Sequence, residues 1–353
     1  MDATRRGFLD ALLSTPSPSG YETRGQEVWL EYVGEFADEV RTDAYGNAVA
    51  VHRGTGEGPS LAFAGHADEI GFIVRRITEE GFLRIGPIGG ADRTVSKGQH
   101  VLVHGDRPVP GVVGQTAIPL RDPDADADVD DVEELFVDVG ATDAEGAREL
   151  VEVGDPVTVR GQEVDLAGDR VAARGMDNRV GTWAAAEGLR RAVDADVDAT
   201  VYAVSTVQEE VGLQGARMIG FELDPDAVYA VDVTHATDHP GPDTKQRTGV
   251  ELGAGPVVVR GSTNHARLVE LARGAASDAG IDVQLQAAGT RTSTDADAFV
   301  TARGATPSMY LGVPNRYMHT PVEVVDLTDL DATAELLATV AGRVDAETTF
   351  GVL

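Results

Sequence analysis

Apolar residues recur at two spacings along this chain. Over residues 4–13 and 22–36, Leu, Val, Trp and Phe fall at the interval of an amphipathic helix. Between them, Ser14-Thr-Pro-Ser-Pro-Ser-Gly20 predicts a loop, with Ser19 as N-cap of the second helix. Asp43-Ala-Tyr-Gly-Asn47 is turn chemistry between two strand-like runs, and Ser60-Leu-Ala-Phe-Ala-Gly65 reads as a further strand. From residue 71 to 165 the texture changes. Short strand-like pieces at 72–77, 82–85, 100–104, 109–114 and 156–160 alternate with Gly-, Pro- and Asp-rich turns, which predicts a compact β-barrel or sandwich. Helical spacing returns over 182–193. After it come a buried strand at 201–207, a short helical piece at 213–219, a strand at 227–231 and a helix at 264–279. A strand at 281–286, a helix opened by Thr294-Asp-Ala-Asp-Ala298, a strand at 308–312 and a helix at 328–344 follow. Outside the β module, strands alternate with helices, which predicts an α/β sheet covered on both faces.

Composition narrows the setting. A chain of 353 residues is long enough for two domains. No run of about 18 apolar residues predicts a membrane span, and Met1-Asp-Ala-Thr-Arg-Arg leads into a helix pattern rather than the apolar core of a signal peptide, so the expected location is cytoplasmic. Acidic residues number 59 against 29 basic ones, a formal net charge of −30, with Lys97 and Lys245 the only lysines. That field repels nucleic acid and anionic membranes. With 42% hydrophobic residues in periodic runs the chain is nonetheless a folded one. Its surface is similar to those of halophilic archaeal proteins, for which concentrated salt screens self-repulsion. The run Arg121-Asp-Pro-Asp-Ala-Asp-Ala-Asp-Val-Asp-Asp131 lacks the glycine and glutamate of a Ca²⁺ loop and is expected to be a solvated loop. Cysteine is absent, so any metal must be held by His, Asp and Glu.

The chemistry concentrates where strands end. In open α/β sheets, ligands bind beyond the carboxyl ends of the strands. His66, the pair Glu209-Glu210 and Asp232 each fall just past a predicted strand, His319 lies in the loop after another, and Asp177 opens a helix. Asp177 there could equally be an ordinary N-cap. Taken together, two histidines and four carboxylates exceed the needs of one catalytic zinc and match a two-metal site for Zn²⁺, Co²⁺ or Mn²⁺, one carboxylate bridging. A carboxylate left off the metals would serve as base toward a water attacking a carbonyl. Asp68, two residues after His66, suits orientation of its imidazole. Positional logic alone leaves the bridge unassigned.

The motifs Gly65-His-Ala-Asp-Glu-Ile-Gly71, Met176-Asp-Asn-Arg-Val-Gly181, Gln208-Glu-Glu-Val-Gly-Leu-Gln-Gly215, Val231-Asp-Val233 and Arg316-Tyr-Met-His-Thr-Pro-Val-Glu323, in this order over nearly the whole chain, resemble those of the M42 metallo-aminopeptidases. The resemblance implies an α/β fold, a mixed central sheet flanked by helices as in the zinc exopeptidases. Residues 1–70 and 166–353 would form this catalytic domain, and 71–165 an inserted β-barrel or PDZ-like dimerisation domain. It further implies that Asp177 bridges two divalent ions, that His66 and Asp232 complete one site and Glu210 and His319 the other, that Glu209 is the general base and that Asp68 orients His66. Peptides would be the substrates, shortened from the N-terminus, with a tetrahedral dodecamer built from dimers as the assembly. The long Asp-rich loop at 121–131 departs from the family pattern and bears on assembly contacts.

Two other hydrolase types compete. A two-metal deacylase or carboxypeptidase needs a cationic clamp for a substrate carboxylate, for which Arg179 and Arg316 are candidates. A glucanase needs two carboxylates flanking a sugar bond, an arrangement that adjacent residues such as Glu209 and Glu210 serve poorly. A protein with purely structural metals would leave Glu209 without a task. Selectivity for the first residue is expected to reside in the loops at 233–249 and 287–294.

Overall fold

The computed structural model describes residues 1–54, 58–121 and 131–353, so nearly all of the Asp-rich run falls outside the described residues. Helices α1 (Ala3–Ser14) and α2 (Thr23–Val33) precede strands β1 (Glu39–Thr42), β2 (Ala48–Arg53) and β3 (Leu61–His66). Six strands follow, β4 (Gly71–Ile77), β5 (Leu83–Ile88), β6 (His100–His104), β7 (Pro108–Val113), β8 (Phe136–Asp138) and β9 (Pro156–Val159), with helix α3 (Ala144–Arg148) before the last. Strands β10 (Val164–Asp165) and β11 (Arg170–Ala173) lead to α4 (Met176–Asp194), β12 (Thr200–Thr206), α5 (Gln214–Leu223) and β13 (Ala227–His235). The chain continues through β14 (Val257–Gly261), α6 (Ala266–Ala279), β15 (Gln284–Ala288), α7 (Ala296–Phe299), β16 (Ser308–Asn315), β17 (Glu323–Asp326) and α8 (Leu327–Ala341).

Eight strands form a mixed sheet in the order β1-β2-β12-β3-β13-β16-β14-β15. Its centre is parallel: β12 with β3, β3 with β13, and β13 with β16. These central strands read as continuous apolar runs because both faces are covered. Helices α1, α2, α4, α6 and α8 pack on one face around Phe63, Trp183 and Leu337, while Ile219 of α5 and Phe299 of α7 close the other. Both tryptophans of the first layer are fully buried and still satisfied. Trp29 Nε1 donates to the Thr182 carbonyl and Trp183 Nε1 to that of Arg5, each at 3.0 Å. Among the described residues no helix is long and apolar enough to cross a membrane.

Strands β4 to β9 close a barrel in the order β4-β5-β8-β7-β6-β9, around an apolar cluster that includes Phe72, Leu83, Ile85, Val103 and Val137. Its first and last strands pair with each other, Phe72 opposite Val157, so the chain enters and leaves side by side.

Two local expectations need correction. Ser19 does not cap the second helix. That helix begins at Thr23 after Glu22, and the Ser19 hydroxyl instead donates to Asp68 at 2.7 Å. Asp232 lies inside β13 rather than past its end, because that strand runs on to His235.

Candidate metal centre

Because β12, β3, β13 and β16 run in one direction, their carboxyl ends share one rim. His66 is the last residue of β3 and Asp232 sits near the end of β13, while Glu209-Glu210 and His319 follow β12 and β16. Asp177 reaches the same rim from α4. Gly175 opens that helix with a left-handed backbone, φ 66°, and Asp177 and Asn178 are not yet helical. The cap position is taken by Gly175, which has no side chain, and the Asp177 carboxylate is directed elsewhere.

It points between the two histidines. Asp177 Oδ1 lies 3.1 Å from His66 Nε2, and Oδ2 lies 3.2 Å from His319 Nε2. Asp232 Oδ1 and Glu209 Oε2 stand 3.7 and 3.8 Å from His66 Nε2. Glu210 Oε1 stands 3.5 Å from His319 Nε2. The ring of His66 is turned so that Nε2 faces this cluster, since its Nδ1 meets the Asp68 carbonyl at 3.1 Å and the Asp68 carboxylate at 3.3 Å. All seven site residues singled out from the sequence are thus brought together at the rim.

Asp68 has a second task that spacing alone did not suggest. Its Oδ1 accepts the backbone N–H of Glu209 at 2.9 Å and its Oδ2 that of Glu210 at 3.1 Å. The two preceding amides are held in the same way, Val207 by Asn47 Oδ1 at 3.0 Å and Gln208 by Glu22 Oε1 at 3.1 Å. Four consecutive N–H groups therefore end on side-chain oxygens of buried residues from the first third of the chain. Gln208, at φ 56°, turns the chain between them. Burial, reinforced by the charge of Asp68, pushes the Glu22 carboxyl up to about 7.

Two further carboxylates belong to the site and escaped sequence reasoning. Glu323 is buried and accepts the N–H of Asp177 at 3.0 Å and that of His319 at 2.8 Å, so it fixes both backbones at once. Its place in the motif ending at 323 was the available signal. Asp295 is also buried, accepts the Thr206 hydroxyl and leaves its Oδ1 without a hydrogen-bond partner.

Burial, with the charges of Asp232, Asp295 and Glu210, pushes the Glu209 carboxyl up to about 10 despite the opposing pull of His66. Burial and the charge of Asp177 push Glu210 up to about 7. The His319 imidazole, paired with the carboxylates of Asp177 and Glu210, is raised to about 11. Glu210 Oε1 is buried with no hydrogen-bond donor. Carboxylates crowded in this way need added positive charge, and nitrogen and oxygen donors without sulfur suit divalent cations of the zinc, cobalt and manganese type. Ligand atoms of His66, Glu209 and Asp232, and those of His66, Asp177 and Glu210, lie within 4.8 Å of one another, close enough to share ions. The residues fit a metal centre.

The cluster opens into a cavity of about 590 Å³ whose other walls include Val233, His235, Gln286 to Gly289 and Arg291 to Thr294. The expected stretch at 287–294 thus lines it, whereas from 233–249 only Val233 to His235 do, and these belong to the end of β13 rather than to a loop. Neither candidate clamp lines it. Arg316 pairs with Asp238 through Nε at 2.7 Å and Nη2 at 2.6 Å. Arg179 is buried against Glu69 at 3.0 Å and the Thr15 carbonyl at 3.1 Å.

Known proteins resemble this chain along most of its length. The model of the M42 glutamyl aminopeptidase family matches residues 46–336. A lysyl aminopeptidase of Pyrococcus furiosus is 33% identical over 335 residues, 93% of this chain and 94% of that one. The crystal structure of a TET aminopeptidase from a marine sediment thaumarchaeon superposes with a TM-score of 0.91 at 31% identity, covering 96% of each chain. The TET1 peptidase of Pyrococcus horikoshii, which can assemble into a tetrahedron or a large octahedral shell, gives a TM-score of 0.84 at 32% identity, over 96% of this chain and 99% of that one. With its motifs meeting at one rim and these relatives spanning its length, the chain belongs to the M42 aminopeptidase family.

Proposed function

We propose that this protein removes N-terminal residues from peptides with two divalent cations, Zn²⁺, Co²⁺ or Mn²⁺. Asp177 would help hold both; His66 and Asp232 would complete one position, His319 and Glu210 the other. Such ions polarise a peptide carbonyl and acidify water. Glu209 acts as the base. Its carboxylate stands at the cavity and beside the cluster, and a proton taken there can be passed to the leaving amine. Asp68 keeps His66 Nε2 turned inward and pins the backbone from which Glu209 and Glu210 extend. The buried anionic rim also suits a free α-amine. The observation that carries this reading is the Asp177 carboxylate, with one oxygen toward each histidine from opposite ends of the chain.

The same proposal covers assembly and setting. Residues 71–165 act as an inserted unit that contributes dimer contacts, and dimers build a tetrahedral dodecamer. Ile118 and Leu120, exposed beside the barrel, supply apolar contact area for this. Net charge of −30 suits work in the cytoplasm at high salt.

The test is Glu209→Gln in the metal-loaded protein, assayed at high salt on free and N-blocked peptides. Metal content should stay at two ions per chain while kcat falls by a factor of about 10² to 10⁴. The wild type should release single residues from free N-termini only. Cleavage of blocked peptides, or full activity in the variant, would sink the reading.

A further inference from the structure

The barrel reaches the candidate metal centre. Strand β5 ends at Ile88, and the chain bends at Gly89, φ 65°, into the loop that leads to β6. A Cβ on Gly90 would lie 2.7 Å from His319 Nδ1 and 2.9 Å from its Cε1. A Cβ on Gly89 would lie 3.1 Å from the Cβ of Glu210 and 3.3 Å from its Oε2. Both close approaches exist because neither residue carries a side chain, and both are made to the same candidate cation position. Beyond the two glycines, Ala91, Asp92, Val95 and Ser96 line a cavity of about 40 Å³ together with Asp177 and His319. The barrel loop therefore runs along this side of the centre.

The two histidines are aimed in different ways. His66 Nδ1 meets the carbonyl and the carboxylate of Asp68, partners of the kind that fix the orientation of a ligating ring. His319 Nδ1 has no hydrogen-bond partner among the described residues. Its backbone is pinned, with φ 63° and its N–H donated to Glu323 at 2.8 Å, but a pinned backbone leaves the side-chain torsions open. The backbone at Gly90 occupies the space on the Nδ1 edge of the ring. That wall leaves Nε2 facing Asp177 and Glu210, at 3.2 and 3.5 Å. Gly90 is not among the residues with positive φ, so a side chain there would meet the ring rather than backbone strain.

We infer that Gly89 and Gly90 are positioning residues for the cation position of His319 and Glu210, so that the barrel builds one wall of the centre besides any contacts between subunits. The inference rests on the two-cation reading above. It makes the two positions unequal, because His66, Asp68 and Asp232 all belong to the α/β part of the chain and owe their arrangement to it.

The test uses chelated wild type, Gly90→Ala, Gly98→Ala, His319→Ala and the double variant of Gly90→Ala with His319→Ala. Each is titrated with Zn²⁺ in a calorimeter and unfolded in urea without metal. Wild type should take up two ions. Gly90→Ala should bind one of them about 10- to 100-fold more weakly and the other as wild type does. Its metal-free unfolding midpoint should stay close to wild type, because an unligated ring can swing aside. Gly98→Ala separates contact from strain. A Cβ there meets nothing within 4 Å but φ is 82°, so the midpoint should fall while both affinities hold. In the protein without the His319 ring, adding Gly90→Ala should change nothing further. Unchanged affinities in Gly90→Ala, an equal loss for both ions, a loss matched by Gly98→Ala, or one that persists without His319 overturns the assignment and leaves the two-cation reading standing. A wild type that does not bind two ions removes both.

Discussion

Asp68 and Glu209 are joined through a backbone amide: the Glu209 N–H donates to Asp68 Oδ1 at 2.9 Å. The other Asp68 oxygen receives the Glu210 N–H and the Ser19 hydroxyl, and its own carbonyl meets His66 Nδ1. One fully buried residue thus sets the bearing of a histidine and of two glutamates. Burial alone would raise its carboxyl, but His66, Ser19 and the Glu209 amide hold it below the ordinary range.

Asp68→Asn replaces one accepting oxygen with a donor that faces an N–H group or a ring nitrogen. Metal affinity should fall by about 10- to 100-fold, with a comparable loss in kcat and little change in KM. Metal titration of the chelated protein beside steady-state kinetics measures both. An unchanged kcat at saturating metal would show that Asp68 contributes to folding alone.

Close backbone approach places Asp177. A Cβ on Gly65 would lie 2.4 Å from the Gly181 carbonyl carbon and 2.5 Å from the Thr182 nitrogen, neither of which can step aside. Gly65→Ala should therefore push the start of α4 off β3, destabilise the protein by about 2 kcal/mol or more and weaken metal binding. Gly7→Ala is the comparison. A Cβ there meets nothing within 4 Å in an exposed turn of α1, so it should be neutral or stabilising by up to about 1 kcal/mol. Denaturant unfolding of both variants decides, and equal stabilities would refute the packing argument.

Glu69 makes stability depend on acid. Burial would raise its carboxyl, yet Arg174 and Arg179 outweigh burial and hold it at about 2 against an ordinary 4.5. Because the folded value is the lower, its contribution is complete above about pH 4.5 and fades as pH falls through 2. The shift corresponds to about 3 kcal/mol. Wild type and Glu69→Gln should differ by about that amount at pH 7 and converge near pH 2 in urea unfolding. A difference that stays constant with pH would rule this pair out as the cause.

Metal uptake should compete with protons. Without cations His319 is held at about 11 by Asp177 and Glu210. His66 also stays above its usual value, because the charges of Glu209 and Asp232 outweigh its burial. Both imidazoles must lose a proton to ligate, so affinity should rise with pH, by roughly tenfold per unit for each proton released. Calorimetric titrations with Zn²⁺ between pH 6 and 8, in buffers of different ionisation enthalpy, count those protons. Heats that do not depend on the buffer would contradict the assignment of the histidines.

Much of this site was legible in the sequence because parallel strands bring their carboxyl ends to one edge. His66, Glu209, Glu210 and His319 could be placed from strand ends alone. Asp177 was ambiguous between cap and ligand, and the left-handed Gly175 resolves it by starting the helix ahead of the carboxylate. Ser19 misled because loop serines often cap helices, whereas tertiary contact here turns it toward Asp68. Glu22 and Asn47 stayed hidden for a physical reason. They act by accepting backbone N–H groups from segments far along the chain, and no local pattern marks such a partner. Short strands such as β11 and β17 were missed in the same way, since each exists through pairing with the other.

The rim draws its members from both ends of the molecule, with His66 contributed early and His319 only after β16 has formed the far side of the parallel core. During synthesis a chain shorter than 319 residues consequently lacks one of the two imidazoles that meet at Asp177. Under the proposed reading, ion capture would be a late event, coupled to completion of the sheet, and a chain still short of its second imidazole would not yet hold a complete centre.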